Sequence, residues 1–229
     1  VVKALIGGTV DAAVEPTYVV NATGAWAGTI ASMADVDLGM APSRGVMISV
    51  EYEGLGPALN RCRDPDDGDI VVPHDDEVVL GTTSVPVSDP DDYEEADWEV
   101  ETSVRECATM LPPVADAPTV RTWWGVRPLY APDEQASNRR GISRGFTTVD
   151  HAADGVGNFA SIVGGKLTTY RQMAEAVSDH VCGELGVDAA CETATRPLPG
   201  ADDPDRLDEF VAAYDGQGPT DADVSGRRE

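Results

Sequence analysis

The sequence predicts a mixed fold, α/β elements accompanied by an antiparallel sheet, and three features carry that expectation. "PTYVVNATGAWAGTIASMA" runs from a short apolar strand at 18–20 through a tight turn at Thr23 and Gly24 into a helix reaching residue 34. That is the order by which doubly wound α/β domains bring backbone close to a ligand. "GVMISVEYEG" and "DIVVPHDDEVVLGTTS" are valine-rich runs, the second broken at Asp75 and Asp76, so antiparallel strands with a hairpin between Ile70 and Gly81 are predicted. Finally, "GNFASIVGG" reads as a strand ending on Gly164 and Gly165, followed by a helix over 167–185 with Tyr170, Met173, Ala174, Val177 and Val181 at helical spacing.

The remaining elements fill in between these. A helix over 93–111 follows from Trp98, Val100, Val104, Cys107, Ala108 and Leu111 at mostly three- and four-residue steps, with Pro112 and Pro113 ending it. "TVRTWWGVRPLYAP" and "GISRGFTTVDH" read as further strands. After "RPLPG" the chain turns acidic and poor in apolar residues, so 191–229 is expected to be a linker toward a further domain, with one short helical candidate at 207–214.

Composition limits the function classes. The 229 residues carry 16 basic against 41 acidic side chains, a net charge of −25, which excludes a general basic surface for nucleic acid or anionic lipid. The apolar fraction of 41% is spread along the chain, enough to offset backbone ordering, so disorder is not expected. Acidic loops such as "SDPDDYEEAD" suit a protein of salt-adapted, cytosolic type, where self-repulsion is screened over a few Å. Pro16 to Ala34 is uncharged but too polar for a membrane span, and a chain starting on valine without a signal peptide is expected to be a fragment. Four cysteines without a C-x-x-C pair predict buried free thiols, and three dispersed histidines no metal site.

Between Arg121 and Arg171 the local sign reverses, with seven basic residues against four acidic ones. Positioned cations inside so acidic a chain point to an anionic ligand. Arg121, Arg139, Arg140 and Arg171 are expected to pair with surface carboxylates instead. Arg127 differs, because in "WWGVRPLY" a guanidinium among apolar neighbours is costly unless paired, and its fork suits phosphate or carboxylate. Lys166, one of two lysines, stands where a glycine pair opens a helix, next to free N–H groups and the positive end of the dipole. The loop is not a Walker A motif, whose first glycine and hydroxyl positions hold Ala160 and Leu167, and no G-x-G-x-x-G occurs. Asn21-Ala22-Thr23 matches a glycosylation sequon but ends a strand expected to be buried.

In this order and spacing, "VVNATGAWAG", "NRCRDPDDGDIVVPHDDEVVLGTTS", "WWGVRPLYAPD", "GISRGFTTVDH" and "GGKLTTYRQMAEAV" resemble the FAD-dependent glycerol-3-phosphate dehydrogenases, with the A subunits of the anaerobic, quinone-linked type as nearest match, over residues 16–200. The resemblance implies part of an FAD/NAD(P)-binding α/β domain (1–42 and 131–190) interrupted by an antiparallel substrate domain (43–130). It implies that glycerol 3-phosphate is oxidised to dihydroxyacetone phosphate, hydride passing from C2 to flavin N5 and electrons on to quinone through partner subunits. A cytoplasmic location, peripheral on the inner membrane face in the full complex, goes with it. Carried over, Arg127 and Arg144 clamp the phosphate, Lys166 lies near substrate and flavin, and Arg127 and Lys166 are the catalytic candidates. Ala22, Thr23, Gly24 and Trp26, with Gly164, Gly165, Lys166, Leu167 and Thr168, contact FAD through the backbone. Thr82 and Thr83 are candidates for the substrate hydroxyls.

Two family features are absent from the sequence, the N-terminal dinucleotide fingerprint and the C-terminal cysteine-rich region of iron–sulfur type, so the segment alone is expected to be inactive. Val46 stands where some relatives carry a histidine, which leaves no general base assigned, with His74 the remaining candidate. Two alternatives remain at this level. One is an amino-acid or amine oxidase relative, against which the cluster Arg127, Arg144 and Lys166 counts; the other is a non-catalytic anion-binding or assembly module.

Overall fold

A computed structural model describes residues 2–6, 9–62, 69–132 and 145–197, with 203, 205, 206, 208 and 209, and side chains from residue 14 onward. Arg139, Arg140, Arg144 and the 207–214 helical candidate lie outside the described residues, Arg206, Asp208 and Glu209 apart. By chain contacts the protein divides into two compact units, Val1–Val181 and Cys182–Glu229, and the three described sheets all belong to the first.

The chain opens with an antiparallel hairpin of β1 (Val2–Ile6) and β2 (Thr9–Val14), which no sequence pattern predicts. β3 (Val19–Asn21) follows, then a 3-10 turn over Gly24–Trp26 and the short α1 (Ala27–Ser32). β4 (Ser43–Glu51), β5 (Leu59–Asn60), β6 (Ile70–His74), β7 (Glu77–Gly81) and β8 (Val85–Pro86) lead to α2 (Asp97–Ala108). β9 (Thr119–Arg127), β10 (Phe146–Asp150), β11 (Phe159–Gly164) and α3 (Tyr170–Glu184) complete the described elements of regular structure.

Two sheets organise the site. In the first, β11 lies between β10, antiparallel, and β3, parallel, with Ala160 opposite Val20 and Ser161 opposite Asn21. β11 is buried along almost its whole length, as a central strand covered on both faces must be, and its apolar run "FASIVG" reflects that. Ala27 and Ala31 of α1 pack on it with Val36, Leu38, Phe159 and Val163.

The second sheet is antiparallel, in the order β5-β6-β7-β4-β8, with β9 along the other edge of β4. Alternation along β4 divides its faces. Val46, Ile48 and Val50 point to one side and form a core with Val71, Val78, Leu80, Cys107 and Val114. Ser43, Gly45, Met47 and Ser49 point to the other. The Asp75-Asp76 hairpin between β6 and β7 is present as the sequence predicts, with Asp75 at φ 52°.

α2 departs from the sequence expectation. Its fully or nearly buried positions are Glu99, Ser103 and Cys107, four residues apart, whereas Trp98, expected on the apolar face, is 52% exposed. Val100, Val104, Cys107, Ala108 and Leu111 do pack on the core as expected, so Trp98 alone leaves the stripe, which instead carries the Glu99 carboxylate in the first turn, where the helix dipole favours negative charge. Past α2 the two prolines open a 3-10 turn, Pro112–Ala115.

Cys107 donates its thiol to the carbonyls of Gly81 (3.6 Å) and Ile70 (3.4 Å), and burial pushes its pKa from 9.0 up to about 11. Of the four thiols expected to be buried only Cys107 is, because Cys62 and Cys191 stand in exposed loops; iodoacetamide at pH 8 is expected to modify those two within minutes and to reach Cys107 only after denaturation. The sign of the linked stability follows: the unfolded thiol ionises first, so this contribution is complete below pH 9 and declines as pH rises toward 11. Labelling of native Cys107 at the rate of Cys62 would contradict the burial.

Candidate functional site

The sequence candidates fall into two groups. The first stands at the carboxyl ends of the parallel pair. β3 ends at Asn21 and leads into Ala22, Thr23, Gly24 and Trp26; its neighbour β11 ends at Gly164 and leads into Gly165, Lys166, Leu167 and Thr168. Both turns thus open at the same end of adjacent strands, where α/β sheets bind ligands.

Buried side chains hold the first turn. Asn21, 1% exposed, donates Nδ2 to the Ala27 carbonyl (2.9 Å) and to Ser161 Oγ (3.1 Å), and its Oδ1 accepts the Thr23 hydroxyl (2.7 Å) and N–H (3.4 Å). His151 Nε2 lies 2.9 Å from Ser161 Oγ, and its Nδ1 3.0 Å from Asp154 Oδ2, with the ring stacked on Phe159 at 4.8 Å. Because an ionised carboxylate only accepts, His151 donates Nδ1–H to Asp154; the neutral imidazole then accepts the Ser161 hydroxyl at Nε2, and Ser161 Oγ accepts from Asn21. Serine, histidine and aspartate here look like a hydrolase triad, yet Ser161 is 0% exposed, so the constellation serves to fix Asn21. Trp26 hydrogen-bonds Asp91 through its indole at 2.8 Å.

Glycine chemistry shapes the second turn. Gly164 and Gly165 adopt φ of 74° and 79°, and a Cβ on Gly164 would collide with the Gly145 carbonyl oxygen. Lys166 caps the next turn through its backbone: Thr169 Oγ1 accepts its N–H at 3.0 Å and donates to its carbonyl at 2.9 Å. The 3-10 turn Leu167–Thr169 then runs into α3. Lys166 and Thr168 are exposed, and Leu167 (89%) and Tyr170 (68%) leave apolar surface uncovered beside the glycines. The apolar stripe expected of α3 is fully buried only at Val177.

The second group lies on the antiparallel sheet. Met47 pairs with Gly81 and Arg44 with Val85, so the three residues 82–84 stand opposite Gly45 and Val46, a break in pairing between β7 and β8. Arg127, at the end of β9 and opposite Ser43, lays its guanidinium across Gly45. It donates to the Thr83 carbonyl (3.0 Å), the Arg44 carbonyl (3.4 Å) and Thr82 Oγ1 (2.9 Å). A Cβ on Gly45 would come within 2.5 Å of the guanidinium, so this glycine provides clearance for Arg127. Thr82 passes its own hydroxyl proton to the Val46 carbonyl at 2.8 Å. Thr83 is 3% exposed, and its hydroxyl donates to Glu99 at 2.6 Å and accepts the Val46 N–H at 3.2 Å.

The two groups adjoin, because β9 comes within 8 Å of the Gly24–Trp26 turn between Cα atoms. His74 does not join them. It pairs with Glu77, which faces Glu51, whereas Arg127 faces Ser43 eight residues along β4, roughly 25 Å away at ~3.3 Å per residue. Val46 is fully buried in the core. Of the arginines expected to pair on the surface, Arg171 holds Glu175 at 2.6 Å, and Arg121 lies 4.0 Å from Glu77 and stacks over Trp123. A cleft beside α1, lined by Thr29, Ser32, Asp35 and Asp37, has no basic residue on its walls and suits no anion.

Sequence reasoning missed Asn21, Ser161, His151, Arg44 and Glu99. Glu99 had a signal, since Glu99, Ser103 and Cys107 share one helical stripe; the others are joined by pairings of distant segments.

Parallel strands opening onto glycine turns, next to an antiparallel sheet ending on a fixed arginine, define the class. Residues 1–171 match the family described as FAD dependent oxidoreductase, and the chain belongs to it; FAD is the cofactor of that family. Within it, the chain is 49% identical over 84% of its length to the A1 subunit of anaerobic glycerol-3-phosphate dehydrogenase from Haloferax volcanii, of which it covers 34%. It is 41% identical over 84% of its length to the A subunit of the anaerobic enzyme from Escherichia coli, of which it covers 36%. The chain thus spans about a third of the length of these relatives. The solved FAD complex of glycerol-3-phosphate dehydrogenase from Bacillus halodurans superposes with a TM-score of 0.63 at 25% identity, over 88% of this chain and 39% of that one. Glycine oxidase from Geobacillus kaustophilus shares the fold at a TM-score of 0.52 and 19% identity, over 79% of this chain and 46% of that one.

Proposed function

We propose that this chain is part of a dehydrogenase that oxidises sn-glycerol 3-phosphate to dihydroxyacetone phosphate with FAD, passing electrons to quinone through partner subunits. The observation that carries the reading is Arg127, a cation aimed by three hydrogen bonds at the end of β9, the strand that adjoins the Gly24–Trp26 turn. The names of the similar subunits supply the substrate.

The residues fit the flavin end of FAD. Gly164 and Gly165, with positive φ, let the chain turn tightly against the Gly145 carbonyl and the Met173 side chain, and the exposed faces of Leu167 and Tyr170 are what a flat apolar ring would cover. When bound, FAD accepts the hydride. Backbone N–H groups at the start of the Leu167–Thr169 turn face developing negative charge, and Lys166 adds a cation there. Arg127, with Arg144 as second member of the clamp, holds the phosphate and thereby orients the carbon to be oxidised. Thr82, whose hydroxyl accepts from Arg127, is assigned to a substrate hydroxyl.

The domain arrangement proposed is an inserted one. All strands of the antiparallel sheet come from 43–130, while the three-stranded sheet takes β3 from 1–42 and β10 and β11 from 131–190. No helix among the described residues is long and apolar enough to cross a membrane. Contact with quinone is assigned to partner subunits, with peripheral association of the full complex.

The test uses the full-length polypeptide that carries this sequence, loaded with FAD and mixed anaerobically with substrate. Glycerol 3-phosphate is expected to bleach the flavin absorbance, and glycerol and glycine at equal concentration are not. Bleaching by glycine alone would replace this reading with that of an amino-acid oxidase.

A further inference from the structure

We propose that Glu99 is a positioning residue for anion binding at Arg127, acting through the backbone from the opposite face of the antiparallel sheet. The inference rests on the phosphate-binding role of Arg127 proposed above. Arg127 is aimed by two carbonyls, those of Arg44 and Thr83. The side chains of these same two residues both end on Glu99. Arg44 donates Nε and Nη2 to Oε1 at 2.9 and 2.7 Å, and Thr83 donates its hydroxyl to Oε2 at 2.6 Å.

Alternation along β4 makes this a coupling across the sheet. Gly45, under the Arg127 guanidinium, points to one face; Arg44 points to the other, between Glu99 and the Trp124 ring, 6.0 Å from its guanidinium carbon. The break in pairing at 82–84 leaves this part of the β4 edge without regular ladder bonds, so register there depends on side chains. Glu99 replaces those bonds, gripping Arg44 on β4 and Thr83 in the break with one carboxylate. Its Thr83 contact extends to the Val46 N–H.

All three partners are buried, with Glu99 0%, Thr83 3% and Arg44 7% exposed. A surface ion pair would tolerate loss of one charge; here a neutral amide at 99 leaves Arg44 a buried cation and turns one acceptor into a donor facing the Thr83 hydroxyl. The carbonyls that aim Arg127 move with these side chains. The consequence belongs to anion affinity, because Glu99 touches neither Lys166 nor the glycine turns.

The experiment compares wild type, Glu99→Gln, Arg44→Lys and Val78→Ala in the full-length, FAD-loaded polypeptide. Val78 is fully buried in the same sheet but outside the network, so Val78→Ala reports loss of stability alone. Two readouts are taken: KM and kcat for glycerol 3-phosphate, and the Kd of inorganic phosphate by calorimetry, which needs no turnover. Glu99→Gln is expected to raise KM and phosphate Kd about tenfold with kcat and flavin content within twofold of wild type. Arg44→Lys, which keeps the cation but loses the two-pronged contact, is expected to raise both about threefold and covers the case in which Glu99→Gln does not fold. Val78→Ala is expected to lower Tm while KM and Kd hold. Variants at 99 and 44 that only lower Tm, as Val78→Ala does, would overturn the inference, as would a wild type that binds no phosphate. If the wild type binds phosphate, Glu99→Gln weakens it, and glycerol 3-phosphate leaves the flavin oxidised, the proposed activity fails and the inference stands.

Discussion

Replacing Arg127 by alanine is expected to raise KM for glycerol 3-phosphate by about 100-fold or more while the flavin spectrum stays unchanged. Truncating one partner of a desolvated, hydrogen-bonded charge pair costs about 2–5 kcal/mol, and each ~1.4 kcal/mol is a factor of ten. Three hydrogen bonds within the chain already fix the guanidinium, so phosphate binding has little ordering entropy to overcome at this residue. Arg127→Lys keeps the charge without the planar fork, and an increase of about tenfold is expected. Steady-state kinetics with the flavin-to-protein ratio decide the matter. Equal loss of flavin and substrate affinity would place Arg127 in the cofactor site instead.

The second large effect is expected at Asn21. Its side chain bonds the Ala27 carbonyl, Ser161 Oγ and Thr23, and it closes the chain from Asp154 through His151 and Ser161. Asn21→Leu leaves the Ala27 carbonyl and the Thr23 hydroxyl without their partner, and with a buried polar group costing about 1–3 kcal/mol when orphaned, a total loss of about 2–4 kcal/mol is expected. The turn over 22–24 loses its anchor in the same step, so purified protein is expected to carry less than half the FAD of wild type. Thermal unfolding monitored by flavin release measures both. A variant with lowered Tm but full FAD content would show that Asn21 supports the sheet and not the turn.

The parts of the fold that local chemistry determines were legible in the sequence. Asp75 and Asp76 mark the β6–β7 hairpin, Gly164 and Gly165 mark the end of β11, and Pro112 and Pro113 open the 3-10 turn past α2, which itself ends at Ala108, each because a backbone conformation demands that residue type. Trp98 misled, since an aromatic at helical spacing reads as core, and the buried stripe of α2 instead follows the ion pair between Glu99 and Arg44, 55 residues apart in sequence. A carboxylate is placed inside by its partner, and the partner is known only once β4 and α2 are packed. Lys166 was legible as unusual because lysine is so rare in the chain, whereas the partners of Arg127 are backbone carbonyls, which no sequence displays.

The central claim is that the glycine turns after β3 and β11 and the Arg127 end of β9 serve a single substrate. A crystal structure of the full-length polypeptide with FAD and dihydroxyacetone phosphate tests it most directly. The flavin is expected against residues 22–26 and 164–168, with a phosphate oxygen within hydrogen-bond distance of the Arg127 guanidinium. Phosphate bound elsewhere, out of reach of the Arg127 guanidinium, would contradict the claim.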